Sequence, residues 1–147
     1  MKRRAFLSLG SNVGDRVERL GSARAALIAR SDLRLTALSP VVETVPVDVV
    51  DQPRFLNQVL AIDTRLEPHA LLDACLAIEL GMGRDRSAGP RRGPRTIDID
   101  LLLYDGRSFD DPGLTVPHPR LAARSFFLDL CRAVGAPEAW LPAQVAA

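Results

Sequence analysis

Hydrophobic residues recur along the chain with two different spacings, and the changes between them divide it into strands and helices. Apolar side chains at alternate positions, as in residues 55–62, predict a strand, and apolar side chains three and four apart, as in residues 17–28, predict a helix. Glycine, proline and acidic residues separate these segments. The predicted order is a strand over residues 4–9, a helix over 15–29, strands over 33–44 and 55–66, a helix over 68–81 and a strand over 96–104.

This order predicts an α+β protein with the ferredoxin-like βαββαβ core. In such a fold a mostly antiparallel sheet has helices packed on it, and we expect them on one face, with the other face open to loops and ligand. Pro40 interrupts the second strand, which favours an edge or bulged position. A hairpin-type turn at Asp105-Gly106 follows the last strand. A short C-terminal extension then contains a strand over residues 114–116 and a helix over 121–134.

Composition narrows the classes of function. The formal net charge is +1 and only 5% of residues are aromatic, which argues against a broad nucleic-acid-binding surface. The first apolar run is too short for a signal peptide or a membrane span, so we expect a cytoplasmic protein without a membrane partner. Cys75 and Cys131 lie in apolar helical patterns, which predicts buried thiols rather than a bridge. The length of 147 residues predicts one domain over residues 1–147.

Positive charge is concentrated in one loop, over residues 83–95. Of the 19 basic residues only Lys2 is a lysine, so each basic group in this loop is a planar fork suited to phosphate. The glycines around them allow a close approach of the backbone. The loop is therefore a candidate phosphate site, with a solvated basic loop as the alternative. Its arginines are Arg84, Arg86, Arg91, Arg92 and Arg95, opposed only by Asp85.

Two aspartates interrupt the apolar strand that follows this loop. Because side chains alternate along a strand, Asp98 and Asp100 point to the same side, away from Ile97 and Ile99. Two neighbouring carboxylates on a central strand need a compensating cation. An arginine such as Arg95 could supply it, and so could Mg²⁺, which binds one or two carboxylates together with phosphate oxygens and water.

Six motifs, in order along most of the chain, resemble the family of 6-hydroxymethyl-7,8-dihydropterin pyrophosphokinases. The motif around the aspartates is the most specific of them. The motifs are LSLGSNVGDR at residues 7–16, ETVP at 43–46, DQPRFLN at 51–57, IELGMGRDR at 78–86, RGPRTIDIDLL at 92–102 and LTVPHPRLAARSF at 114–126.

The resemblance implies an enzyme of folate biosynthesis that transfers the diphosphate of ATP to 6-hydroxymethyl-7,8-dihydropterin and releases AMP. It implies two Mg²⁺ ions held by Asp98 and Asp100 on the phosphate chain. Catalysis would then come mainly from positioning and charge neutralisation. We expect a monomer, with a weak dimer as the alternative.

The resemblance also assigns site residues. Asp98, Asp100, Arg84 and Arg95 are the candidate catalytic residues. The candidate ATP contacts are Glu79, Arg84, Arg86, Arg95, His118 and Arg124. The candidate pterin contacts are Thr44, Val45, Val47, Phe55, Asn57, Asp98 and Phe126.

Some of these assignments have a structural alternative or depart from the family pattern. His118 lies between prolines and could instead be a capped surface histidine, and Phe55 and Phe126 could be core residues. Arg92 stands where the family often has a loop aromatic. Two rival functions fit the pattern less well: another Mg²⁺-dependent phosphoryl or nucleotidyl transferase that uses the aspartates, and a ferredoxin-like RNA-binding module, which needs exposed sheet aromatics.

Overall fold

The computed structural model describes residues 3–45, 53–83 and 97–143. The strands are β1 (Arg3–Ser11), β2 (Leu33–Leu38), β3 (Val42–Thr44), β4 (Phe55–Thr64), β5 (Asp98–Tyr104), β6 (Phe109–Asp111) and β7 (Leu114–Val116). The helices are α1 (Arg16–Ile28), α2 (Pro68–Gly81), α3 (Pro119–Ala123), α4 (Ser125–Ala133) and a 3-10 helix over Glu138–Trp140.

The main sheet has the strand order β2-β4-β1-β5, and β3 also pairs with β4. All pairings in it are antiparallel. The central strand β1 therefore separates β4 from β5, as in the ferredoxin-like arrangement, and the predicted fold is confirmed. The register between β1 and β5 shifts by one residue between Phe6 and Leu7, where Leu103 and Leu101 are the successive partners.

Local signals in the sequence account for the main element boundaries. Asp15 caps α1 by accepting a hydrogen bond from the backbone N of Glu18 at 3.1 Å. Pro68 lies in the first turn of α2, where its missing N–H costs nothing. Pro40 divides the predicted second strand into β2 and β3, each of which pairs with β4. These predictions are confirmed to within about two residues.

Both faces of the sheet bury apolar side chains, which corrects the expectation of one open face. The first face packs on α1 and α2, with Leu7, Leu20 and Cys75 in its cluster. The second face packs on α4, with Phe6 and Leu128 in its cluster. The amphipathic helix α4 must bury its apolar side, and this half of the sheet provides the matching surface. Only part of the second face is therefore left for a site.

The C-terminal extension differs in detail from its prediction. Asp105 and Gly106 have φ of 52° and 70°, and the backbone N of Arg107 donates to Tyr104 O at 2.9 Å, so the predicted turn forms. The turn does not join paired strands, because β6, which the sequence pattern did not indicate, pairs with β7. The predicted helix over residues 121–134 is divided into α3 and α4 by Arg124, whose backbone is extended.

Candidate active site on the second face of the sheet

The register of the three central strands places polar residues in adjacent rows on the second face. Gly10 of β1 is directly opposite Asn57 of β4 and Asp98 of β5. One row away, Ser8 of β1 is opposite Asp100 of β5. Because residues directly opposite in antiparallel strands project to the same side, all of these share one face. This face carries the second apolar cluster at its other end, so polar rows lie beside the part covered by α4.

The two aspartates have a cation beside them. Arg120 of α3 donates through Nη1 to Oδ2 of Asp100 at 2.9 Å, and the same nitrogen is 3.6 Å from Oδ2 of Asp98. The aspartate side chains are only 6% and 12% exposed, whereas the arginine is 37% exposed. The sequence left Mg²⁺ and arginine open as cations for this pair. An arginine does lie beside the pair, but it is Arg120 of α3, which the sequence analysis did not connect with the aspartates.

Glu79 at the end of α2 holds the strand that carries the aspartates. Its side chain is 1% exposed, and its Oε2 accepts a hydrogen bond from the backbone N of Ile99 at 2.6 Å. Ile99 lies between Asp98 and Asp100, so this bond fixes the backbone from which both carboxylates project. A charge-assisted bond of this kind is stronger than a neutral one.

His118 combines a capping role with a position beside the aspartates. Its Nδ1 accepts a hydrogen bond from the backbone N of Arg120 at 3.1 Å, which makes it the N-cap of α3. Its Nε2 lies 3.9 Å from Oδ1 of Asp100. Because Nδ1 accepts this bond, the ring proton is on Nε2, which faces the carboxylate. His118 therefore caps α3, a role that the sequence did not indicate, and its side chain also faces the site.

The predicted pterin side is built around Asn57. This side chain is 7% exposed, and its Nδ2 donates to Oγ1 of Thr44 at 2.7 Å. A Cβ added to Gly10 would lie 3.3 Å from Oδ1 of Asn57 and 3.7 Å from a ring carbon of Phe55. The missing side chain of Gly10 therefore leaves space between the amide, the ring and the row of Asp98. Val45 is 57% exposed at the end of the described segment that contains Thr44.

Phe126 and Arg124 form a stacked pair at the start of α4. The guanidinium of Arg124 lies 5.0 Å from the centroid of the Phe126 ring, and that ring is 4.2 Å from the ring of Phe127. Burial, and secondarily the charge of Arg120, lower the pKa of Arg124 from its ordinary value. Phe126 also packs on the edge of the second apolar cluster, so its position agrees with the core alternative as well.

Side chains that follow β1 form hydrogen bonds with β3 and with the segment that precedes β4. Asn12 donates through Nδ2 to Pro53 O at 3.0 Å. Arg16 donates to Oε2 of Glu43 and to Arg54 O, both at 2.9 Å. These contacts link the LGSNVGDR motif to β3 and to the start of β4, and so hold the strands that carry Thr44 and Asn57.

Four residues of this site were missed by the assignments from sequence: Gly10, Asn12, Arg16 and Arg120. An isolated glycine inside an apolar strand is a known sign of close approach by a ligand or a backbone, but the predicted strand over residues 4–9 ended before Gly10, which β1 includes. Nothing in the local sequence connects Arg120 with residues 98–100. Four predicted site residues lie outside the described residues: Val47, Arg84, Arg86 and Arg95.

Within residues 3–45, 53–83 and 97–143, no group of three or more His, Cys, Asp or Glu side chains is arranged to hold a metal. In the same ranges no helix is long and apolar enough to cross a bilayer. Cys75 and Cys131 are buried and not joined in a disulfide, as predicted, and burial raises the pKa of Cys131 to about 12.

Comparison with known proteins agrees with the resemblance. Over residues 6–135 the chain matches the model of the family described as 7,8-dihydro-6-hydroxymethylpterin-pyrophosphokinase (HPPK). It is 46% identical over 125 residues to the 2-amino-4-hydroxy-6-hydroxymethyldihydropteridine pyrophosphokinase of Methylorubrum extorquens, covering 85% of this chain and 78% of that protein. It is 44% identical over 128 residues to the protein of the same name from Pseudomonas aeruginosa, covering 87% of this chain and 78% of that one.

A solved structure supports the fold independently. The chain superimposes on wild-type Plasmodium falciparum HPPK-DHPS with a TM-score of 0.64 at 16% identity, covering 99% of this chain. It spans only 41% of that longer protein, so this likeness concerns the fold alone. The family model and the bacterial relatives, each matched over most of the chain, decide the assignment: the chain belongs to the 7,8-dihydro-6-hydroxymethylpterin-pyrophosphokinase family.

Proposed function

We propose that the polar rows on the second face of the sheet are the site at which this enzyme transfers diphosphate from ATP to 6-hydroxymethyl-7,8-dihydropterin. Family membership supports the reaction itself, which is a step of folate biosynthesis and gives the pterin diphosphate and AMP. One observation carries the location: Asn57, Gly10 and Asp98 are directly opposite one another in three adjacent strands.

The row has the dimensions of the substrate that it would hold. Asn57 and Asp98 are two interstrand spacings apart, about 10 Å. A flat two-ring heterocycle could therefore lie over Gly10 with its polar edge at Asn57 and its hydroxymethyl group toward Asp98. Phe55 lies beside Gly10 and would contact one ring face, and Phe126 is the candidate for the other. Thr44, Val45 and Val47 would line the edge near Asn57.

The residues fit a divalent metal. Asp98 and Asp100 provide hard oxygen ligands on one face, and the guanidinium nitrogen of Arg120 between them marks a position that favours a cation. Two carboxylates are also the usual protein share of a Mg²⁺ site that is completed by phosphate and water. When bound, two Mg²⁺ ions would neutralise the phosphate chain and favour in-line attack by the pterin hydroxyl.

The other proposed roles belong to charged side chains around the aspartates and in the arginine-rich loop. His118, at the start of α3, lies beside Asp100, and Arg124, at the start of α4, interacts with the charge of Arg120. Both would contact the phosphates or ribose of ATP. Glu79 would act at the ATP side of the site by holding β5, the strand that carries the aspartates. Arg84, Arg86 and Arg95 would supply the remaining phosphate contacts, with Arg84 and Arg95 stabilising charge on the transferred diphosphate. We propose that residues 1–147 act as one domain, as a cytoplasmic monomer that binds neither nucleic acid nor membranes.

The test is AMP production from ATP with and without 6-hydroxymethyl-7,8-dihydropterin, with the pterin diphosphate identified by mass. AMP that requires the pterin supports the proposal. Diphosphate release without pterin would support another phosphoryl or nucleotidyl transferase. Binding of single-stranded RNA with no ATP turnover would support the RNA-binding alternative. The same assay over a Mg²⁺ titration tests the metal dependence.

A further inference from the structure

Arg120 occupies the position between the two carboxylates that a divalent ion would take. A single nitrogen, Nη1, is within ion-pair distance of both: 2.9 Å from Oδ2 of Asp100 and 3.6 Å from Oδ2 of Asp98. These are the oxygens that the proposed function gives to metal. An N–H directed at a carboxylate oxygen uses a lone pair that a metal would need at that atom, so the guanidinium and a metal compete for these oxygens.

The arginine reaches this position from outside the sheet. Its backbone is fixed, because its N–H donates to Nδ1 of His118 in the first turn of α3. Its side chain is 37% exposed, in contrast to the nearly buried aspartates, so it has room to move toward solvent. A second guanidinium, that of Arg124, is close enough to repel it. The fold therefore fixes the base of Arg120 and leaves its charged end movable.

We propose that Arg120 is a resident counter-cation of the Asp98–Asp100 pair, which metal must displace, and that the displaced guanidinium then contacts the phosphates of the nucleotide. This inference rests on the metal role of the aspartates in the proposed function. Metal alone exchanges one cation for another and leaves Arg120 without its carboxylate partners. Metal that arrives with a polyanion gives Arg120 a new partner. Nucleotide binding therefore favours metal binding, and metal binding favours nucleotide binding.

Mn²⁺ without nucleotide provides the direct test, because it is a paramagnetic ion that binds the same class of oxygen site as Mg²⁺. Free Mn²⁺ is measured by electron paramagnetic resonance in the presence of wild-type protein, Arg120→Gln, Arg120→Lys and Arg124→Gln. Arg120→Gln removes the competing charge and should bind Mn²⁺ tighter by about tenfold, within the usual range of coupling between sites. Arg120→Lys keeps a positive charge near the pair and should stay closer to the wild type.

Arg124→Gln is the matched control, since it removes an equal charge from a neighbouring arginine that stacks on Phe126. A much smaller gain in this variant shows that the effect is specific to the pairing with the aspartates. A gain of equal size in both variants would overturn the proposal, because general repulsion would then explain it. Unchanged or weaker Mn²⁺ binding by Arg120→Gln would overturn it as well, and a misfolded variant could only weaken binding.

A second measurement tests the coupling. With a non-hydrolysable ATP analogue present, the wild type should gain more Mn²⁺ affinity than Arg120→Gln does, and an equal gain would refute the role in linking the two ligands. Asp100→Asn separates this inference from the function on which it rests. If Mn²⁺ binding depends on Asp100 but not on Arg120, only the counter-cation role fails. If it depends on neither, the metal role of the aspartates fails too.

Discussion

Gly10→Ala should impair pterin binding while leaving the fold intact. The substitution adds one methyl group near the C-terminal end of β1, on the face that carries Asn57 and Asp98. Its Cβ would lie 3.3 Å from Oδ1 of Asn57 and 3.7 Å from the ring of Phe55. Among the described residues other than its chain neighbours, the next nearest atom is Leu56 O at 3.8 Å, so the methyl fills the space in which we place the pterin.

The effect on stability should be small. Alanine in a strand interior is favoured over glycine by about 0.5–1 kcal/mol, which offsets the tight contact with Asn57. A net change within about 1 kcal/mol shifts Tm by no more than about 4 °C in a chain of this size. The effect on the ligand should be larger, because the methyl projects about 1.5 Å from the backbone. A displacement of about 1 Å can cost about 100-fold in rate, and a tenfold loss of pterin affinity corresponds to about 1.4 kcal/mol.

Calorimetric titration with pterin in the presence of a non-hydrolysable ATP analogue measures the affinity, and thermal unfolding measures the stability. We expect pterin affinity to fall about tenfold and kcat/KM about 100-fold, with ATP affinity nearly unchanged. Gly21→Ala in α1 is the control, since it adds a methyl group 3.5 Å from a flexible arginine and away from the site. Wild-type pterin affinity in Gly10→Ala would show that the ring does not lie over β1.

Three further predictions address other parts of the molecule. Asp100→Asn should reduce turnover at least 100-fold while the protein stays folded by circular dichroism, and full turnover at saturating Mg²⁺ would contradict the metal role. Asn57→Ala should weaken pterin binding by roughly 1–3 kcal/mol and ATP binding far less; equal losses would indicate misfolding. Burial alone would raise the pKa of Asp63, but the charges and hydrogen bonds of Arg4 and Arg34 outweigh burial and lower this pKa. The ionised Asp63 side chain therefore stabilises the folded protein above about pH 4, and this stabilisation is lost as pH falls through the folded-state pKa. Asp63→Asn should therefore lower the free energy of unfolding at pH 7 but much less at pH 3, and a difference independent of pH would refute this.

The features that could be predicted from the sequence are those set by neighbours along the chain. The start of α1 follows from Asp15 and its bond to Glu18, which lie three residues apart. That Asp98 and Asp100 share a face follows from the alternation of a strand. The strand order follows from the succession of elements together with the family resemblance. Each of these depends on residues within one or two elements, where propensity and periodicity are informative.

The features that could not be predicted depend on register and on packing between distant segments. The opposition of Gly10 to both Asn57 and Asp98 requires two strand pairings in a specific register. Arg120 is twenty residues from Asp100 and meets it only because α3 returns to the end of β5. The helix α4 covers half of the second face because its apolar side needs a surface, and the ferredoxin-like pattern does not include that helix.

The shift in register between β1 and β5 determines which face of the sheet the side chains of Asp98 and Asp100 occupy. Ala5 and Phe6 are opposite Tyr104 and Leu103, whereas Leu7 and Ser8 are opposite Leu101 and Asp100, so Leu102 is an additional residue in β5. If Leu102 were paired with Leu7 and the first register continued, Gly10 would be opposite Ile99, and both aspartates would point into the apolar layer beneath α1 and α2. Removing Leu102 would instead leave Leu101 next to Leu103, so the same partners would pair without an additional residue and the aspartates would stay on the second face. A relative that keeps the aspartates and has two leucines here is therefore expected to pair these strands without a bulge, whereas three leucines require one.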